Sequence, residues 1–285
     1  MTGEQNFMRF TKMHGCQNDF VVINCFDDSN SISNPNELAR KISDRRQGVG
    51  ADGLILILPS DNADAFMQIY NSDGSQDTMC GNGIRCVAKY VYEHGIISPD
   101  RKNFFIETLA GVKAINLEVD NNKVSLVSVD MGVPGITSEL NEKIIINDMS
   151  LNFYGIDTGT PHAIYFVEDN HEICEINSWP DSEFAKIGVY FENNSRFPDK
   201  TSSDFVKIIS RDEINMRVFE RGCGETMACG TGSTASVFAG VLANKLNRDV
   251  LVHLRGGDLR IKVDDNNKCF LIGPAVEVFS GEFFY

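Results

Sequence analysis

A cysteine followed by G-x-G occurs twice in this chain, once in each half. The first lies in N-S-D-G-S-Q-D-T-M-C-G-N-G-I-R-C, Asn71 to Cys86, and the second in E-R-G-C-G-E-T-M-A-C-G-T-G-S-T-A-S, Glu220 to Ser236. Small and apolar residues follow the glycines in both copies (Val87 and Ala88; Ala235, Val237 and Ala239). Such a run winds as a helix that is buried on all sides. A chain that twice sets a Cys at the start of such a helix is expected to fold as two similar halves, each built around one helix.

With 285 residues the chain has room for two domains. A hydrophobic content of 42% against 23% charged supplies an ordinary core. The net charge of −14 argues against nucleic acid and anionic lipid as partners, and no run of Lys or Arg reverses it locally. A small zwitterion is not excluded. The opening M-T-G-E-Q-N-F-M-R-F lacks the basic and apolar regions of a signal peptide. The apolar run Leu54 to Leu58 is far too short for a membrane span. The expected location is therefore cytoplasmic, where the eight cysteines are reduced. The nearest Cys spacings are six residues, Cys80 with Cys86 and Cys223 with Cys229, which does not suit a structural metal. Cys25, Cys174 and Cys269 are expected to be small buried hydrophobes.

In chain order, Phe7 to Asn24 reads as strand, polar break and strand, with His14, Asn18 and Asp19 in the break. Asn34 to Ser43 reads as a short helix capped by Ser33 or Asn34, with Pro35 in its first turn. G-V-G-A-D-G, Gly48 to Gly53, matches the dinucleotide fingerprint, but a helix precedes it and a strand follows. That context is inverted, and the nucleotide reading is rejected. Phe66 to Tyr70 is a strand that feeds the first Cys motif, whose helix runs from Gly83 to Tyr92. Three further strands follow, Phe104 to Thr108, Val112 to Val119 and Lys123 to Met131. G-V-P-G near Val133 marks a boundary. The second half repeats the plan, with strands at Phe153 to Asp157 and Ala163 to Val167 flanking T-G-T-P-H. A helix follows at Ser182 to Phe191, then strands at Phe205 to Ile209 and Ile214 to Glu220. The second Cys motif leads a helix through Leu246, and three strands between Val250 and Ile272 close the half. The alternating end, A-V-E-V-F-S-G-E-F-F-Y, reads as a strand returning to the first half. The fold class is α/β (α+β), with mixed, mostly antiparallel strands wrapped on a central helix in each of two pseudo-symmetric halves. The halves span 1–130 with 274–285, and 131–273.

A cysteine works through its thiolate, and at a pKa near 8.5 only about 3% is ionised at pH 7. A helix N-terminus offers roughly half a positive charge and unbonded N–H groups. It is expected to favour the thiolate and to hold a carboxylate, and the glycines let a ligand approach the backbone. Two such helix starts that face each other would clamp one carboxylate, with a thiol on either face of the carbon bearing it. One thiolate removes the α-proton and the other thiol returns a proton from the far side, inverting the carbon without a cofactor. Nucleophilic Cys/His catalysis is the rival reading, but it leaves the second copy without a role. A binder of small acids that performs no chemistry is a third, and it would leave the α-hydrogen in place.

At these residues the sequence resembles the diaminopimelate epimerase family of cofactor-independent amino-acid epimerases. K-M-H-G-C-Q-N-D-F, G-V-G-A-D-G-L, N-S-D-G-S with C-G-N-G-I-R-C, G-T-P-H, R-F-P and E-R-G-C-G-E-T-M-A-C-G-T-G carry the resemblance nearly end to end. It implies an isomerase with Cys80 and Cys229 as the acid/base pair and no cofactor or metal. Backbone at Gly81, Asn82, Gly230 and Thr231 would hold the reacting carboxylate. Asn18, Asn71, Glu220 and Arg221 would contact the substrate's other polar groups. The implied substrate is L,L- or meso-diaminopimelate, which belongs to lysine biosynthesis, and a homodimer is among the assemblies it allows. The proline racemase type shares the two-Cys logic but typically has His where Asn82 stands. Two positions depart from the family: Thr160 in G-T-P-H and Ser202 in T-S-S-D-F stand where Asn is usual. Those Asn residues hold a distal carboxylate, and a hydroxyl offers one donor where an amide offers two. A racemase of another amino acid, such as histidine, is therefore the alternative.

Overall fold

A computed structural model describes residues 7–26 and 32–284. It is a mixed α/β fold, rich in strands and poor in helices. The described residues fall into two compact units, one within Met1–Val129 and Gly273–Tyr285 and the other Asp130–Ile272.

The first unit begins with the hairpin β1 (Phe7–Gly15) and β2 (Asn18–Asn24), which pair antiparallel. Its turn is only Cys16 and Gln17, both left-handed at φ 51° and 66°. That is the backbone that matches the twist of two paired strands, so the polar break is shorter than the sequence suggests. Helix α1 (Pro35–Ser43) has Asn34 as its cap, with the Asn34 side chain accepting from the Glu37 N–H. Then come β3 (Gly53–Leu58), parallel to β2, and β4 (Ala65–Asn71), antiparallel to β3. The two-residue β5 (Gln76–Asp77) leads into helix α2 (Gly81–Glu93). β6 (Asn103–Thr108) lies parallel to β4, and β7 (Gly111–Asp120) and β8 (Lys123–Gly132) follow as antiparallel neighbours.

The second unit repeats this order. β9 (Gly135–Ile136) and β10 (Glu142–Ile146) flank β11 (Met149–Asp157), which forms a hairpin with β12 (Pro161–Phe166). β13 (Ser202–Ser210) is parallel to β12 and antiparallel to β14 (Glu213–Glu220), as β3 is to β2 and β4. Helix α3 (Asp181–Glu192) takes a place like that of α1 in chain order. β15 (Gly224–Glu225) leads into helix α4 (Gly230–Leu242), and β16 (Asp249–Leu254), β17 (Gly257–Val263) and β18 (Cys269–Gly273) complete the repeat. The last strand, β19 (Val276–Phe284), pairs antiparallel with β1, as its alternation suggests.

Both central helices are buried for a compositional reason. α2 hides Ile84, Cys86, Val87, Ala88 and Val91, and α4 hides Ala235, Val237, Phe238 and Ala239. A helix without charged residues, as α4 is, is stable only inside a shell of other elements, whereas α2 also buries the polar side chains of Asn82 and Arg85. In the second unit the face of β12 and β13 turned away from α4 packs on α3, where Tyr165, Phe191 and Phe205 stack and cross at centroid distances of 5.0 to 5.6 Å. Gly188 of α3 sits against the Phe219 ring, where a Cβ would collide.

Other parts of the chain differ from the sequence reading. α4 ends at Leu242, not Leu246. Asn244 turns left-handed at φ 54°, and Leu246 folds back so that its N–H reaches the Gly240 carbonyl at 3.1 Å. Glu142–Ile146 is a strand the sequence reading left unassigned. Cys269 is buried, but Cys25 is only half-buried and Cys174 is exposed at the end of a short 3-10 turn.

Glu93 at the end of α2 ties the helix to the β7–β8 hairpin. It takes Lys89 Nζ at 2.6 Å, Lys123 Nζ at 2.9 Å and the Val124 N–H at 2.8 Å. Burial alone would raise its pKa, but the two lysines outweigh burial and hold it at about 2. A depressed carboxylate stabilises the fold above its unfolded pKa, and that contribution fades as pH falls toward the folded value. Glu93→Gln is therefore expected to lose on the order of 2 kcal/mol near pH 7. Urea titrations across pH should show the gap from wild type closing between about pH 4.5 and 2.

Candidate active site

Each Cys motif folds as a strand end, a turn and a helix whose cap is the cysteine itself. Cys80 is extended at φ −136°, ψ 121°, and its sulfur accepts the Gly83 N–H at 3.5 Å. Cys229 is extended at φ −122°, ψ 111°, and its sulfur accepts the Gly232 N–H at 3.3 Å. A sulfur thus takes the place of the hydroxyl or carboxylate that usually caps a helix. Only a small third residue fits beneath it, since a Cβ on Gly83 would lie 3.0 Å from Ile55 and one on Gly232 would strike Asp204.

In the first unit Cys80, Asn18 and Asn82 come together. The Cys80 thiol lies 3.7 Å from Asn18 Oδ1, which also accepts from Asn82 Nδ2 at 3.1 Å. Asn18 Nδ2 donates to Asp52 at 2.8 Å. Asn82 Oδ1 accepts from Arg85 Nη2 at 3.0 Å. Arg85 can only donate and ionised Asp52 can only accept, so the orientation of both amides is fixed from the two ends. Gly81, the first helical residue, gives its carbonyl to Arg85 Nη1 at 2.9 Å. Asn71 ends β4, and its side chain is turned to Ser75 Oγ at 3.0 Å within the N-S-D-G-S turn. The G-V-G-A-D-G segment follows α1 and opens β3 at Gly53, and its Asp52 is the residue that anchors Asn18.

In the second unit Cys229, Thr231 and Glu220 come together. The Thr231 hydroxyl lies 3.3 Å from the Cys229 sulfur. Glu220, the end of β14, accepts from the Thr226 hydroxyl and also from the Cys229 thiol. Burial raises the Glu220 pKa. Burial also pushes the Cys229 thiol well above its ordinary value, and the neighbouring Glu220 and Asp204 charges add to this. The helix N-terminus is expected to favour a thiolate, but at this site desolvation and two carboxylates outweigh it. Gly230 receives the Thr234 hydroxyl on its carbonyl at 2.9 Å.

Thr160 and Ser202 are engaged by the protein. Thr160 Oγ1 lies 3.1 Å from His162 Nε2. The Ser202 hydroxyl is buried and accepts the Arg221 N–H at 3.1 Å. The Arg221 side chain is exposed and lines a cleft of about 380 Å³ together with Thr137, Asp157, His162, Arg196 and Lys200.

Sequence reasoning gave no role to Asp204, Arg85 or Asp52. Asp204 is fully buried, with Oδ2 accepting from His162 Nδ1 at 2.7 Å, while Oδ1 has no hydrogen-bond partner and faces the α4 start. A signal existed, since Ser202 and Asp204 alternate on one face of a buried strand, where an acid is out of place. Among the described residues no group of three His, Cys, Asp or Glu side chains converges as metal ligands would.

The sequence profile described as diaminopimelate epimerase matches residues 10–137 and 154–278. The chain belongs to the diaminopimelate epimerase family. The diaminopimelate epimerase of Agathobacter rectalis is 46% identical over 294 residues, covering 96% of this chain and 99% of the relative. That of Methanococcus maripaludis is 44% identical over 287 residues, covering 96% and 99%. The hydroxyproline epimerase of Agrobacterium vitis, solved with bound trans-4-hydroxy-L-proline, shares the fold. It superposes with a TM-score of 0.76 at 14% identity, covering 100% of this chain and 94% of that one. Membership makes this chain an isomerase. No described helix is long and apolar enough to cross a membrane.

Replacing Glu220 removes a negative charge that opposes the Cys229 thiolate. In Glu220→Gln the pH midpoint for alkylation of Cys229 should fall by about one unit, a tenfold gain below the midpoint. Mass spectrometry of the Cys229 peptide after timed iodoacetamide treatment reads this directly. An unchanged midpoint would mean that Glu220 does not act on the thiol.

Proposed function

We propose that this chain interconverts L,L- and meso-diaminopimelate by a two-base mechanism, with Cys80 and Cys229 as the two acid/base groups. The observation that carries the reading is the duplicated geometry: two cysteines cap two equivalent buried helices, each sulfur receiving the N–H three residues on. A one-thiol mechanism has no use for the second copy.

In the proposed reaction the substrate α-carboxylate accepts from first-turn N–H groups of α2 and α4, at Gly81, Asn82, Gly230 and Thr231. These dipoles also stabilise the charge that moves onto the carboxylate as the α-proton leaves. One cysteine as thiolate takes the α-proton and becomes a thiol. The other, a thiol, gives its proton to the opposite face and becomes a thiolate. The carbon is inverted, no atom is gained or lost, and the enzyme is left with its two protonation states exchanged. Solvent exchange at the thiols restores the first state. Asn18, Asn71, Glu220 and the Arg221 side chain take the remaining polar groups. Arg221, exposed beside a cleft, suits a distal carboxylate.

Racemisation of another amino acid such as histidine is the second reading, favoured by one observation. The Thr160 hydroxyl is already engaged by His162 and the Ser202 hydroxyl already accepts the Arg221 N–H, each at 3.1 Å, where the family usually offers two amides. The proposal also includes a cytoplasmic location and a homodimer. The dimer is supported by exposed Val276, Val278 and Phe279 on β19.

The test offers L,L-diaminopimelate and L-histidine in parallel and separates stereoisomers by chiral chromatography. Diaminopimelate should be epimerised and histidine left unchanged. Cys80→Ser and Cys229→Ser should each lose at least about 100-fold in kcat, the scale of a lost general acid or base. Turnover of histidine alone moves the assignment to the second reading. Full activity in either Ser variant removes the two-thiol mechanism.

A further inference from the structure

The two halves of the repeat hold opposite charge around equivalent thiols. Position five after the cysteine is Arg85 in C-G-N-G-I-R and Thr234 in C-G-T-G-S-T. The strands beneath correspond as well. Gly53 lies beside Phe20 in parallel register and opposite Asn71, and Ser202 lies beside His162 with Ser203 opposite Phe219, one step before Glu220. Two residues along each strand, Ile55 meets the α2 glycine and Asp204 meets the α4 glycine. Asn71 and Ile55 in the first unit thus stand where Glu220 and Asp204 stand in the second.

Arg85 is fully buried. Its guanidinium folds back under the first turn of its own helix. It donates to the Gly81 carbonyl at 2.9 Å, Asn82 Oδ1 at 3.0 Å, the Pro274 carbonyl at 3.2 Å and Cys16 Sγ at 3.7 Å. Among the described residues it has no carboxylate partner. A buried charge without a counter-charge is costly, and the cost falls when an anion arrives nearby. This cation has the same sign as the α2 N-terminal dipole and sits directly behind it.

We propose that Arg85 is the residue that makes Cys80 the thiolate of the free enzyme, leaving Cys229 as the thiol. The inference rests on the two-thiol reading above and adds the direction in which the free enzyme is set. The other groups facing Cys80 are weaker or already paired. Asn18 Oδ1 at 3.7 Å accepts the thiol proton and so opposes ionisation, but it is one neutral dipole at long range. Asp52 opposes it too, yet it is paired with Arg45 at 2.8 Å. Asp19 is paired with Lys12 at 2.6 Å and Arg45 at 2.8 Å. Cys16, 3.7 Å from Arg85 Nη2, draws on the same cation, Cys86, whose thiol burial pushes up to about 12, is neutral, and Lys89 further along α2 is engaged by Glu93. Around Cys229 stand half-buried Glu220, buried Asp204 and the His162 bonded to it, with no Arg or Lys in the place of Arg85.

The experiment is site-resolved iodoacetamide alkylation of the full-length protein across pH, read by mass spectrometry for Cys80 and Cys229 separately. The pH midpoint is compared, not the rate, because Cys80 is half-buried and Cys229 buried. In wild type the Cys80 midpoint should lie at least one unit below the ordinary value of about 8.5, and below that of Cys229. Arg85→Gln should raise the Cys80 midpoint by a unit or more, about tenfold less alkylation below it, and leave Cys229 unmoved. Arg85→Lys, which keeps the charge, should recover most of the shift. A wild-type Cys80 midpoint at or above about 8.5 overturns the proposal. So does an Arg85→Gln change that moves both thiols equally. Should Arg85→Gln not fold, the wild-type midpoints decide. Epimerase assays on Cys80→Ser and Cys229→Ser keep the two ideas apart. Active Ser variants with a low Cys80 midpoint sink the two-thiol reading alone, and inactive variants with an ordinary midpoint sink the Arg85 proposal alone.

Discussion

The sulfur-capped start of a buried helix is the constraint on which the rest of this structure depends. To place a thiol there, each half must bring a strand end, a short turn and an apolar helix together, with glycine at the third helical position. Asp204 beneath Gly232 leaves no room for a larger residue, and Ile55 lies tight beneath Gly83. The strands then follow, because a helix hidden on every side needs a shell, and a parallel pair joined to antiparallel neighbours supplies it in both units. The aromatic cluster of Tyr165, Phe191 and Phe205 fills the opposite face of the same strands, against α3.

The same scaffold is used twice with different electrostatics. A helix N-terminus alone treats both thiols alike. Charged side chains break the equivalence: fully buried Arg85 stands behind one, and half-buried Glu220 and fully buried Asp204 lie beside the other. Catalysis by two bases needs one group ionised and one protonated at the start of each turnover. An internal repeat supplies matched geometry, and a few substitutions within it supply the unmatched charge.

Much of this was legible in the sequence. The repeated C-G-x-G and the apolar runs after it locate both helices, and alternation places most strands, the returning C-terminal strand included. Local chemistry hid the rest. The I-I-I strand is held by a turn at Asn147 and Asp148, both left-handed at φ 46° and 66°, which a reading by apolar period passes over. The end of α4 is set by left-handed Asn244, after which the Lys245 and Leu246 N–H groups close back on the Gly240 carbonyl, a local cap that an apolar period reads as one more helical turn. In the site, the motifs pointed to the cysteines and to Asn18, Asn82, Glu220 and Thr231, which the fold gathers around each thiol. Arg85 was in view as part of the motif, but its depth of burial was not. Asp204 drew no role from the sequence, and no motif announces that the Ser202 hydroxyl accepts the Arg221 N–H.

The measurement that bears most directly on the central claim is isotopic. The enzyme is run on L,L-diaminopimelate in D2O and stopped at low conversion. The account predicts that the meso product carries deuterium at the inverted carbon while recovered L,L substrate still carries protium, because the proton delivered comes from a different thiol than the one that removed it. Product that retains the substrate's own hydrogen would mean that a single base carries it from one face to the other, which contradicts the account.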